Sequence, residues 1–119
     1  LNNHKELLDA LAALPVNFHH SGVMPATVLG AIERHCRDLN ITCSAETGSG
    51  LSTLLFSHLS NNHLVFAKEQ FDDDRGNSIA SVRESTLFRG ESVKYIVGPT
   101  QQTLPAYTFT EKLQRLEVS

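Results

Sequence analysis

The chain has 119 residues, 40% of them hydrophobic and 19% charged, with a net charge of −3 at neutral pH. That length and balance give one domain with a sizeable core and exclude a disordered, collagenous or low-complexity chain. They argue against a broad nucleic-acid footprint or a basic membrane-binding face, and no apolar run approaches the roughly 18 residues of a membrane span. The first residues, Leu1 to Glu6, carry neither an apolar signal core nor an Arg-rich transit character. Cys36 and Cys43 form no CxxC, which predicts reduced, buried, inert thiols and a cytoplasmic setting. The chain begins without Met, which leaves room for a preceding segment.

Leu7, Leu8, Leu11 and Leu14 recur at helical spacing and predict a helix over 3–14, with Asn3 and Glu6 at capping-box spacing and Pro15 as its stop. His19-His20-Ser21-Gly22 reads as a loop. A second helix is expected over 25–38, with Val28, Leu29, Ile32, Cys36 and Leu39 on its apolar face and Asn40 as its end. Residues 41–45 read as a strand that ends at Glu46, and a helix carrying Leu51, Leu54, Leu55 and Leu59 follows the loop Thr47-Gly48-Ser49-Gly50. Asn61-Asn62 marks a turn, 63–67 a buried strand, 76–87 a helix with Ile79, Val82 and Leu87 inward, and 93–97 a third strand closed by Gly98-Pro99. A short helix is expected next, with a last strand over 112–118. Strands that alternate with helices predict a partial Rossmann-like α/β three-layer sandwich. Its mostly parallel sheet of three to four strands would run in the order 3-2-1, with any fourth strand beside the first. The exposed edge of such a sheet predicts self-association, as a homo-oligomer that completes the sheet across chains.

The sharpest constellation is Glu46-Thr47-Gly48-Ser49-Gly50-Leu51-Ser52-Thr53, set between a strand and a helix. Glycines there let the backbone turn tightly and let a ligand approach it. The amides of the helix start would point at that ligand, and Ser52 and Thr53 would add hydroxyls. Glu69 lies 19 residues after Gly50, near the ~20-residue distance at which an acidic residue receives ribose hydroxyls in nucleotide-binding sheets. The loop is no dinucleotide fingerprint, since Thr53 stands where the third glycine belongs, and no phosphate loop, since it lacks Gly-Lys-Ser/Thr. An acid ahead of the glycines suits a ligand with a cationic amino group.

These residues resemble the first motif of class I S-adenosylmethionine-dependent methyltransferases, and Glu69 resembles the acidic end of that family's second strand. Val97-Gly98-Pro99-Thr100-Gln101-Gln102-Thr103-Leu104-Pro105 is similar to a stretch after the third strand in one subgroup, and His19-His20-Ser21-Gly22 to a loop that closes over the cofactor. The resemblance covers roughly residues 17–113, the N-terminal cofactor-binding half of such a domain. It implies that Glu46, Gly48, Ser49 and Gly50 hold the methionine part of S-adenosylmethionine or its demethylated product, with the Ser52 and Thr53 hydroxyls as further cofactor-binding candidates from their place at the helix start. Glu69 would hold the ribose. In the subgroup the fourth strand ends in an acidic-glycine-histidine element, where this sequence reads Lys112 to Ser119. The expectation is therefore a single truncated domain over 1–119, with methyl transfer to an unnamed acceptor as one reading. A non-catalytic oligomeric binding or scaffold module is the other.

Plainer readings stand beside these. The glycine loop also suits a structural strand-to-helix turn, with Ser52 and Thr53 as ordinary first-turn residues. No spacing completes a zinc site around His19 and His20. The acidic run Asp72-Asp73-Asp74 lacks the glutamate of a calcium loop, since Glu84 falls one position late. No metal is expected. His19, His20 and Tyr107 are candidates for a base by residue type alone.

Overall fold

The computed structural model describes residues 4–14, 24–68 and 78–107. In chain order the elements are α1 (Lys5–Ala12), α2 (Ala26–Asp38), β1 (Cys43–Thr47), α3 (Leu51–Leu59), β2 (Asn62–Ala67), α4 (Ser78–Glu84), a 3₁₀ turn (Gly90–Ser92), β3 (Val93–Val97) and α5 (Thr100–Ala106). The loop at 19–22, Glu69, the acidic run 72–74 and the expected strand over 112–118 lie outside the described residues.

The three strands form one parallel sheet in the order β1-β2-β3. The fold is α/β and Rossmann-like, as the alternation of elements predicts. β2 is the central strand, and its residues from His63 to Ala67 are all buried, as a strand covered on both faces requires. In register, Ser44, His63 and Val93 form one row across the sheet, and Glu46, Val65 and Tyr95 form the next. Both rows lie on the same face, because side chains alternate along a strand. Phe56 of α3 stacks on His63 there, and Ile79 of α4 packs with Val65, Ala67, Val93 and Tyr95. On the opposite face Phe66 meets Tyr107, just past α5, edge to face.

α1 and α2 add a second layer outside α3, where Leu11, Leu29, Leu51, Leu54, Leu55 and Val82 form the larger buried cluster. Each fully buried leucine contributes about 1.5–3 kcal/mol relative to exposure. α1 begins at Lys5 behind His4, which makes no side-chain cap; Asn3 lies outside the described residues. One local expectation needs correction. α2 buries Leu29, Glu33 and Cys36, while Val28 and Leu39 are 42% and 60% exposed. The inner stripe is rotated toward Glu33 because that carboxylate has partners on α1 and on its own helix. Asn40 does end α2. It takes φ 54°, and the bonds Ile41 N–H to Cys36 O (2.9 Å) and Asn40 N–H to Arg37 O (3.4 Å) make a Schellman motif.

Among the described residues, no helix is long and apolar enough to cross a membrane. Both cysteines are free thiols. Burial, followed by the nearby Glu33 charge, pushes the Cys36 thiol above its ordinary value, which keeps it protonated and unreactive.

Candidate functional site

β1 runs one residue past Glu46, and the chain then turns into α3 within three residues. The turn depends on Gly48, whose φ of 84° lies in the left-handed region that favours glycine. Its N–H is donated to Phe66 O on β2 at 2.9 Å, which ties the loop to the carboxyl end of the sheet. Gly50 caps α3 in an extended conformation. A Cβ placed on Gly48 or Gly50 would meet nothing within 4 Å, so the loop presents open main chain. At the start of α3 the amides of Leu51 and Ser52 have no intrahelical acceptor by helix geometry.

The hydroxyls nearby have distinct roles. Gly50 N–H is donated to Thr53 Oγ1 at 3.0 Å, and Thr53 is fully buried. Thr53 therefore caps the helix from inside. Ser52 Oγ donates to Glu46 Oε1 at 2.5 Å, and Ser49 Oγ lies 2.8 Å from Tyr95 Oη. The structure thus brings Glu46, Gly48, Ser49, Gly50 and Ser52 to one end of the sheet and turns Thr53 away from it.

Glu46 has a second partner. Its Oε2 lies 2.6 Å from His63 Nε2, with the His63 side chain wholly buried and that of Glu46 14% exposed. Each carboxylate oxygen has lone pairs beyond these bonds, so an ammonium group can still be received there. Tyr95 closes the other side of the loop, with the Arg83 guanidinium 4.6 Å from its ring centroid. Burial drives the Tyr95 phenol above its ordinary value against the Ser49 hydrogen bond and the Arg83 charge, so it stays neutral. The glycine motif did not point to His63, Tyr95 or Arg83. The signal lay in strand register, which sets His63 opposite Ser44 and Tyr95 in the row of Glu46.

The site's donor set suits the methionine part of a sulfonium nucleoside: an anchored carboxylate for its ammonium, and bare main chain with helix amides for its carboxylate. Among the described residues, no group of three or more His, Cys, Asp or Glu is placed to hold a metal ion. A separate open groove of about 680 Å³ runs between α2 and β1, lined by Val28, Ala31, Ile32, Ser44, Ala45 and Phe56. No family model matches the chain, and no curated protein or solved structure is significantly similar to it.

Proposed function

We propose that the chain binds S-adenosylmethionine in the manner of the N-terminal half of a class I methyltransferase. The observation that carries this reading is the open main chain at Gly48 and Gly50 directly beside the Glu46 carboxylate, at the carboxyl end of a parallel strand. That is where open α/β sheets take their ligands. Glu46 receives the amino group, the loop and the start of α3 receive the carboxylate, and Ser49 orients the loop through Tyr95. Sequence position assigns Glu69 to the ribose. The bound donor supplies an electrophilic methyl carbon; the chain supplies position and excludes water around it.

Calorimetric titration with S-adenosylmethionine tests the site. Gly48→Val places a branched side chain in the open space and strains a backbone that needs positive φ. It should weaken binding more than about tenfold while the circular dichroism spectrum is kept. Glu69→Ala should weaken binding less. Unchanged affinity in both variants rejects the site.

A second reading is favoured by the outer edge of β1, which pairs with no strand among the described residues. In that reading the chain is a non-catalytic module that self-associates through the edge, with or without ligand. Transfer of a labelled methyl group to any of a panel of acceptors excludes the non-catalytic form.

A further inference from the structure

Ser60, Ser44, His63 and Glu46 form one continuous polar row along the sheet. Ser60 Oγ lies 2.6 Å from Ser44 Oγ, and Ser44 Oγ lies 2.7 Å from His63 Nδ1. His63 Nε2 then lies 2.6 Å from Glu46 Oε2, and Ser52 Oγ occupies the other carboxylate oxygen at the helix start. Phe56 stacks on the His63 ring with centroids 4.7 Å apart, which fixes the plane of the imidazole. The row therefore runs from a buried hydroxyl, through a ring sealed from solvent, to a carboxylate that is partly open.

Chemistry sets the direction of the bond to the carboxylate. An ionised carboxylate only accepts, so His63 Nε2 donates to Glu46. With the Nε2 proton directed at Glu46, Nδ1 can accept from the Ser44 hydroxyl and Ser44 from Ser60. Every proton in the row has a partner, and no buried side-chain nitrogen or oxygen among the described residues is left without one. A histidine at the start of β2 held at both nitrogens and stacked on Phe56 has a single ring orientation, with Glu46 at its more open end.

We infer that His63 is the positioning residue for Glu46: it holds the carboxylate in the orientation that receives the ligand's ammonium, and Ser44 and Ser60 hold His63 in the tautomer that does so. The inference rests on the reading that Glu46 meets that ammonium. It goes beyond that reading by tying amino-acid recognition to a buried ring that need not touch the ligand. A residue needed only for folding would affect every ligand of the site alike. A residue that acts through Glu46 affects only ligands with an amino group.

Two probes separate these effects. S-adenosylhomocysteine carries the amino acid; 5′-methylthioadenosine has the same nucleoside without it. In calorimetric titration of the whole chain, His63→Phe, which keeps a ring against Phe56 but has no donor for Glu46, should weaken S-adenosylhomocysteine about tenfold, the equivalent of one charge-assisted hydrogen bond. It should leave methylthioadenosine within about twofold of its original affinity. Ser44→Ala removes the hydroxyl partner of Nδ1 and should give a smaller loss with the same selectivity; it carries the test if His63→Phe does not fold. Equal losses for both probes, or no loss in either variant, overturn the inference while the reading of Glu46 stands. If the unsubstituted chain binds both probes equally, the reading of Glu46 fails and the inference fails with it.

Discussion

Glu33 sits on the inner side of α2 with only 2% of its surface exposed, a costly place for a carboxylate without partners. Arg37 Nε and Nη2 donate to it at 3.1 and 3.3 Å, and His4 Nδ1 lies 3.3 Å away. Burial pulls its carboxyl upward, but the hydrogen bonds from Arg37 and His4 and the Arg37 charge outweigh burial, so its pKa lies below the ordinary 4.5. A depressed folded-state value gives stability that is present above pH 4.5 and is lost as pH falls through the folded value. Glu33→Gln should cost about 1–3 kcal/mol at neutral pH, because the neutral amide leaves Arg37 poorly matched in a buried site. Urea denaturation at a series of pH values should show the gap between variant and parent closing below pH 4.5; a gap that is constant with pH would remove the carboxylate from the account. The apolar spacing of α2 could not reveal this residue, since its burial rests on Arg37 one turn along and on His4, 29 positions away at the start of α1. Glu46 was legible because its chemistry sits in a contiguous motif. His63 was not, because it meets Glu46 only once β1 and β2 are in register.

Elements were more legible than their contacts. Leucines at helical spacing mark α1 and α3, and the β-branched and aromatic runs mark β2 and β3, because each period states which face is buried. The start of α3 shows where pattern reading stops. A glycine N-cap offers no side-chain acceptor, so the Thr53 hydroxyl reaches back to the Gly50 amide from inside the helix, at 3.0 Å. This is one arm of a capping box, with threonine in the place of the usual glutamate or glutamine. Thr53→Val keeps the shape and removes the acceptor, which leaves the Gly50 N–H without its partner at a half-buried helix start. The expected loss is about 1 kcal/mol, read as a lower urea midpoint at unchanged slope. Ligand affinity on the same variant separates a cap from a contact: Thr53 as a cap predicts reduced stability with S-adenosylmethionine affinity kept. Lost affinity at unchanged stability would return the hydroxyl to the ligand.

At the scale of the molecule, the sheet of the described residues has β1 at one edge, and that edge sets what the described fold can join. Gly48 donates to Phe66 O, and Thr42 O accepts from Asn61 and Asn62, so the even-numbered residues of β1 address β2. The N–H and C=O groups of Cys43 and Ala45 therefore point away from β2, toward the outer edge. Ala45 is exposed there, next to the groove that includes Val28 and Ile32 of α2. Strand order followed from the alternation of elements, but what lies beside the β1 edge needed the helices in place. Natural sheets guard such edges with charge, bulges or cover, and β1 places no charged side chain on its outward-addressing residues, Cys43, Ala45 and Thr47. A second copy pairing at this edge extends the sheet and covers the groove in one step. Ala45→Lys adds a charge at the edge without touching a bond to β2. Sedimentation velocity should then show the parent chain as a dimer at micromolar concentration and the variant as a monomer, with the same circular dichroism spectrum. A parent chain that sediments as a monomer throughout, or a variant that dimerises equally, would place any self-association elsewhere.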